Sequence, residues 1–503
     1  MTHANEKESV KGLGKKPGKN EKGITVKKDE DFSEWYTQLI TKAELADVRY
    51  NVKGFVCYLP WATKTIKKMY EKYEKILEQH GHDPLVMPSV IPESNFTLES
   101  SHVEGFAPEV FWITETGSGE KLDERLALRP TSETALYKMY SLWIRSYRDL
   151  PFKRYQSCQV WRCEGKATRP FFRAREFHWI EAHNVFATEE EARNQVIEDM
   201  NITYTMLQDE FAIPVIFFQR PEWDKFPGAV HTYAADALMK SGKVIQLPST
   251  HLLGQNFSKP FNVTFKDKDE QEKFGYITCY GPAISRIYGA MIAILSDDQG
   301  LVLPFDLSPL QVVIVPILFE DTKDAVLAKC ESIKKDLLDT YTVQVDSRDY
   351  LSPGEKFNEW ELKGVPIRIE IGPKDLEKNH AKVVIRHNGL KEFVGFDTLR
   401  AHVDSIADSY TLELKKKTFV AFDERIEKVY SFEEAKNAID SGKIACCGFC
   451  SIDTDGTEFA EKIEKELGAF IRGVRVDDED NTFEKCIVSG KPAKVTVYIA
   501  KSY

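Results

Sequence analysis

The residues best suited to chemistry are a set of arginines with one threonine and one glutamate among them. Arg129-Pro130-Thr131-Ser132-Glu133-Thr134 is followed by Arg162-Cys163-Glu164 and then by Arg173-Ala174-Arg175-Glu176-Phe177. Far downstream stands Gly281-Pro282-Ala283-Ile284-Ser285-Arg286. Arginine offers a planar, permanently charged fork that matches phosphate and carboxylate. A hydroxyl and a carboxylate, Thr131 and Glu133, suit a small ammonium group, which has N–H donors to place. Together the segments describe a site for an anionic nucleotide and a small amino acid side by side.

Residues 126–128 read as a short strand that delivers Arg129 through Thr134 at its end. The helix expected over 133–143 gives Thr131 or Ser132 a second reading, as its N-cap. Residues 154–162 alternate as a strand, 164–170 form a polar loop, and the chain returns as a second strand from Phe171. This antiparallel hairpin carries Arg162 and Arg173 near its ends. Trp179, Glu181 and His183 continue the second strand, and alternation turns two of them toward the site. His183 alone reads more simply as a core or pocket-wall histidine than as a catalyst. Residues 220–229 read as a loop whose aromatics can close over a small apolar ring. Residues 244–254 form another strand, and residues 281–286 lead into a helix over 287–295, with Gly281 permitting close backbone approach.

The constellation resembles the class II aminoacyl-tRNA synthetases, and Arg-Pro-Thr-Ser-Glu-Thr is the form seen in the prolyl-tRNA synthetases. The resemblance covers residues 32–503 and is nearest the eukaryotic and archaeal type, although Ala-Ile-Ser-Arg at 283–286 is closer to the bacterial spelling. It implies ATP-dependent attachment of L-proline to tRNA(Pro) through a prolyl-adenylate. Thr131, Glu133, Arg162, Trp179 and His251 would bind proline. Arg162, Glu164, Arg173, Phe177, Gln246, Ser249 and Arg286 would bind ATP, which enters with Mg2+. Phe177 would stack on adenine, and Arg162, Arg173 and Arg286 would carry the catalytic charge. Family members commonly have threonine where Ser249 stands; the hydroxyl is retained. The interval between Phe177 and Gly281 leaves no room for the editing domain that some bacterial relatives insert there.

The flanking elements fit this frame. Apolar positions at 66, 69, 70, 73 and 77 mark an amphipathic helix over 61–79, broken at Asp83-Pro84. An extended, proline-bearing stretch over 85–92 follows, an edge or an interface. By resemblance, Pro88 is the proline of the class II dimer motif, which implies a homodimer. Downstream of residue 310, alternating strands and helices predict a small, mostly parallel α/β domain. A helix after Pro353-Gly354 offers an anion site at its N-terminus. The segment resembles the anticodon-binding domain of the prolyl, threonyl, glycyl and histidyl enzymes, with Glu361, Arg368 and Lys374 where the family reads guanines.

Composition bounds the rest. A length of 503 residues sets a prior of about three domains. No apolar run approaches the roughly 20 residues of a membrane span, and no signal-peptide core is present, so a cytoplasmic protein is expected. Nine scattered cysteines argue for reduced thiols. A net charge of −11 says little against tRNA binding, which uses local basic patches. The expected divisions are a Lys-rich disordered tail over 1–31, an α+β catalytic domain on an antiparallel sheet over 32–304, an anticodon-binding α/β domain over 305–408, and a small α+β domain over 409–503. The tail reads as solvated, with a non-specific RNA arm as the alternative. In the last domain Cys446, Cys447, Cys450 and Cys486 are the candidate zinc ligands. Ser489 stands where the family has its fourth cysteine, which favours a metal-free domain. By resemblance, Tyr503 lies near the active site.

Overall fold

The computed structural model describes residues 23–96, 110–163, 165, 168–477 and 483–503. Its spine is an 11-stranded sheet. Six consecutive strands of it run in the order Ile216–Gln219, His231–Leu238, Lys243–Gly254, Tyr276–Gly281, Glu176–Phe186, Phe152–Trp161, with every neighbouring pair antiparallel. The helix Ile284–Leu295 lies on this sheet with ten of its residues buried. The amphipathic helix Pro60–Gln79 packs beside it through Ile66, Met69, Tyr73 and Leu77. Such one-sided burial of an apolar stripe is what holds both helices to the sheet.

The sheet does not end with these six strands. Phe470–Arg475 pairs with Ile216–Gln219, and Lys501 and Ser502 run parallel to Lys243 and Val244. The strands of the C-terminal block therefore extend the same sheet. The seam is tight. Gly473 has φ +126°, and a Cβ there would lie 2.0 Å from the Gln219 carbonyl oxygen, so only glycine fits.

Several expectations need correction. Residues 23–31 are ordered, because Lys28 is buried and its ammonium donates to the carbonyls of Ile294 and Ser296 at the C-terminal end of a helix. The remaining tail, residues 1–22, lies outside the described residues. Asp83-Pro84 is a two-residue strand paired parallel with Arg154 and Tyr155. Leu85 through Pro88 then form no strand; pairing resumes only at Val90–Pro92. The helix Ile284–Leu295 starts three residues earlier than expected and takes in Arg286. The expected N-cap at 133–143 makes no side-chain cap bond, since the Ser132 hydroxyl donates to Glu181 instead.

The α/β domain is mixed rather than mostly parallel. Its five strands run Val343–Val345, Val312–Pro316, Ile367–Ile371, His380–Ile385, Lys391–Gly395, the first two pairings parallel and the last two antiparallel. The last two strands are joined by a short turn through Asn388-Gly389, with Gly389 at φ +70°, which returns the chain antiparallel. The helix at Pro353–Leu362 has its N-terminus satisfied by its own capping box, Ser352 with Glu355, so the anion expected there is replaced by a carboxylate. The 25-residue helix Leu399–Asp423 runs unbroken through residue 408. Among the described residues no helix is long and apolar enough to cross a membrane.

Candidate active site

A row of side chains crosses four adjacent strands. Thr232 is paired with His251, His251 with Cys279, and Cys279 with His183. Register fixes this row, because a slip of one residue would turn each side chain to the opposite face. All four line one cavity. Alternation along Glu176–Phe186 adds Trp179 and Glu181 to the same lining, so all three candidates on that strand face the site rather than two. Gln246 and Ser249 come from the neighbouring strand Lys243–Gly254.

The wall opposite is the segment that starts the helix Glu133–Trp143. Thr131 and Glu133 are both buried, and the Thr131 hydroxyl donates to the Glu133 carboxylate. Arg129, which precedes them, is structural. Its guanidinium donates to the carbonyls of Gln159 and Met87, both at 2.9 Å, which pins the segment to the hairpin. Arg162 reaches the cavity from the end of the hairpin, donating from Nε to the Pro130 carbonyl at 3.1 Å. Its guanidinium lies 5.4 Å from the Phe177 ring centroid and 5.8 Å from that of Trp179, a cation–π geometry that fixes its direction.

At the floor, Glu181 is the hub of a buried network. It accepts from the Ser132 backbone N–H at 3.2 Å, from the Ser132 hydroxyl, and from Gln156 at 2.7 Å, and lies 3.1 Å from His183 Nε2. Burial favours its protonated form, but His183, Ser132 and Gln156 outweigh this and hold the carboxyl below its usual range. The Tyr137 hydroxyl meets the other ring nitrogen of His183 at 2.9 Å. His251 is the opposite case. Burial first, then His183 and Arg220, lowers its imidazole to about 3, so it is neutral, with Thr232 Oγ1 2.9 Å from Nδ1 and Ser249 Oγ 3.0 Å from Nε2. The Phe226 ring covers it at 4.7 Å. The cavity thus has a carboxylate and hydroxyl at one end, a guanidinium at another, and apolar ring faces between.

A second cavity adjoins the first, and Gln246 and Asp224 line both. It is strongly basic, with Arg169, Arg173, Arg286, Arg472 and Lys243 in its walls. Arg286 donates from Nε to the Phe172 carbonyl at 3.2 Å. Arg173 donates to the Tyr503 backbone oxygen at 3.4 Å, and the Tyr503 ring stacks on Phe172 at 5.5 Å. Such a pocket can hold a polyanion.

The sequence-derived candidates thus divide between the two cavities. Thr131, Glu133, Arg162, Trp179, Gln246, Ser249 and His251 line the first, while Arg173, Gln246 and Arg286 line the second. Phe177 sits at the rim beside Arg162 and lines neither. Glu164 lies outside the described residues. A Cβ at Gly281 would meet only the Trp179 ring at 3.5 Å, an ordinary contact, so no close backbone approach requires glycine there. Cys279, Thr232, Gln156 and Arg472 were missed. For Cys279 the signal was present, since it lies two residues before Gly281 on one strand.

The other candidates lie elsewhere. In the α/β domain, Glu361 and Arg368 are half-buried and Lys374 is exposed. Arg368 donates to Glu370 at 3.0 Å. The C-terminal cysteines 446, 447, 450 and 486 are all buried, but they bring no three sulfurs within 4.8 Å of one another.

Comparison with known proteins adds the following. Residues 111–295 match the tRNA synthetase class II core domain (G, H, P, S and T), residues 311–406 an anticodon binding domain, and residues 432–503 the prolyl-tRNA synthetase C-terminal domain. A proline--tRNA ligase of Thermofilum pendens is 49% identical over 486 residues, covering 96% of this chain and 100% of that protein. One from Methanopyrus kandleri is 43% identical over 475 residues, covering 94% and 96%. Among solved structures, Giardia lamblia prolyl-tRNA synthetase in complex with prolyl-adenylate superposes with a TM-score of 0.93 at 35% identity, over 95% of this chain and 100% of that one.

Proposed function

The chain belongs to the prolyl-tRNA synthetase family, and from that premise we propose that it activates L-proline with ATP and transfers it to tRNA(Pro). The observation that carries this reading is the pair of adjoining cavities. One is sized and charged for a small amino acid, the other is lined by arginines, and Gln246 lies between them.

In the first step Thr131 and Glu133 accept the N–H donors of the proline imino group, while Phe226, Trp179 and His251 bound the pyrrolidine ring. Arg162 holds the substrate carboxylate and the α-phosphate together. One carboxylate oxygen attacks the α-phosphorus in line; that O–P bond forms as the bond to pyrophosphate breaks. Arg173 and Arg286 hold the phosphates, with Mg2+ entering as part of the ATP complex. Two anions must meet, so fixed positive charge and orientation supply the catalysis and no protein nucleophile is needed. In the second step a hydroxyl of the terminal ribose of tRNA attacks the acyl carbon and AMP leaves. Gln246, Ser249, Phe177 and Glu164 complete the nucleotide site in this reading.

Glu361, Arg368 and Lys374 are proposed to read the anticodon. The proposed divisions are 32–304, 305–408 and 409–503, with the helix Leu399–Asp423 joining the last two. The interval from Phe177 to Gly281 is filled by sheet strands and the helix Glu189–Tyr204, which supports the absence of an editing insertion there. A homodimer is supported by exposed Val86, Leu142 and Trp143 near Pro88 and the helix Glu133–Trp143. A cytoplasmic location is supported by nine cysteines of which no two are joined in a disulfide.

The test is a KM split in ATP–pyrophosphate exchange. Arg286→Ala is expected to raise KM for ATP much more than KM for proline, and Glu133→Ala the reverse. Equal effects of both variants on both substrates would contradict the assignment.

A further inference from the structure

The chemistry proposed above makes no use of Cys279, whose thiol lies in the cross-strand row between His251 and His183. One ligand atom each from Glu133, His183 and Cys279 lie within 4.8 Å of one another, and all three residues are buried. Among the described residues no other three His, Cys, Asp or Glu side chains converge in this way. We propose that Glu133, His183 and Cys279 form a site for a borderline or soft divalent cation, Zn2+ above all, and that an ion bound there shuts the amino acid out. The second half of this proposal rests on the role assigned to Glu133 under the proposed function.

The donor set is selective. Carboxylate, imidazole and thiolate are the ligands of tetrahedral zinc, with metal–ligand distances near 2.0–2.3 Å that set the donors roughly 3.5 Å apart. The cluster therefore has to draw in by only about 1 Å to meet that spacing. Sulfur disfavours Mg2+ and Ca2+, so the site is distinct in kind from the one that receives Mg2+ with ATP. Charge balance also fits. A thiolate and a carboxylate neutralise the ion, whereas without it burial, and then Glu133 and Glu181, push the Cys279 thiol well above its usual range. Binding therefore releases one proton.

The surroundings can support such an ion. The Tyr137 hydroxyl lies 2.9 Å from His183 Nδ1 and fixes the ring. An ion taking Nε2 displaces Glu181 from that nitrogen, and Glu181 keeps its bonds from Ser132 and Gln156. The fourth position opens into the cavity, where Thr131 and Glu133 otherwise face the substrate amine. One exchangeable position beside three protein ligands is the pattern of an accessible rather than a closed site.

The probe is Co2+ added to the full chain after chelator treatment, read by the near-ultraviolet thiolate-to-cobalt absorption. One equivalent should produce the band, and Zn2+ should bleach it. Cys279→Ser should abolish it, Glu133→Gln should weaken cobalt binding at least tenfold, and Cys486→Ser should leave it intact. If Cys279→Ser fails to fold, Glu133→Gln and the zinc-displacement arm decide. No band, or a band that survives Cys279→Ser and vanishes in Cys486→Ser, overturns the site. The exclusion half is read separately: Zn2+ should inhibit exchange competitively with proline and not with ATP. Normal proline-dependent exchange without a cobalt band would sink the metal site alone. A cobalt band without proline-dependent exchange would sink the amino-acid assignment alone.

Discussion

Arg472, on a strand of the C-terminal block, donates to Asp236 of the catalytic sheet at 2.6 Å, with both side chains buried. Arg220 grips the same carboxylate at 2.7 Å and also donates to Gln246 at 3.2 Å. Burial works against all three charges. For Asp236 the two guanidinium groups outweigh it and hold the carboxyl below its usual range. A residue between the two cavities is thus tied to a salt-bridged seam between two parts of the chain.

Asp236→Asn should therefore be strongly destabilising. It leaves two guanidinium groups buried without their countercharge, a loss of about 3–5 kcal/mol. Urea unfolding of the variant should show that loss, and KM for ATP should rise through Gln246. Wild-type stability with unchanged KM would remove the seam from the account.

Asp199 gives a pH dependence with a definite sign. Burial, partly offset by Thr250 and Gln195, raises its carboxyl to about 7. Between the unfolded value of about 4 and that value the folded state holds a proton that the unfolded state has released. Stability from this group is full below about pH 4 and falls by up to about 1.4 kcal/mol per unit as pH rises toward 7. Asp199→Asn keeps acceptor and donor for Gln195 and Thr250 and should flatten that slope. Thermal unfolding from pH 5 to 8 measures it, and an unchanged slope would contradict the assignment.

Glu181 is a positioning residue. Its carboxylate holds the Ser132 backbone and hydroxyl, and so the Thr131–Glu133 wall. Glu181→Gln should lower proline-dependent kcat/KM about 10²-fold, as expected for a displacement near 1 Å. The discriminating readout is that KM for ATP stays near wild type. Parallel losses for both substrates would indicate general unfolding.

His251 should not titrate in the working range, because its imidazole is lowered to about 3. The KM for proline should therefore be flat from pH 6 to 8 with respect to this residue, and His251→Gln should leave the shape of the pH profile unchanged. A profile whose acid limb disappears in that variant would show a protonated His251.

Much of the site was legible because strand alternation and motif order are local. Alternation puts Trp179, Glu181 and His183 on one strand. The row Thr232, His251, Cys279, His183 was not legible, because register between strands distant in sequence is set by tertiary pairing. The joining of the C-terminal strands to the catalytic sheet was hidden for the same reason. Gly473, whose backbone approach makes that seam, carries no signal until Gln219 is beside it. Lys28 sits in a Lys- and Gly-rich segment whose composition suits a solvated tail, while its burial depends on two carbonyls far along the chain.

The central claim is that the two adjoining cavities hold proline and ATP with Arg162 between the reacting groups. The most direct test is ATP–pyrophosphate exchange with each standard amino acid in turn, using the wild-type chain and a folded Arg162→Ala variant. The account predicts exchange dominated by proline, falling at least about 10²-fold in the variant. Exchange led by another amino acid, or no exchange from folded protein that binds tRNA, would contradict it.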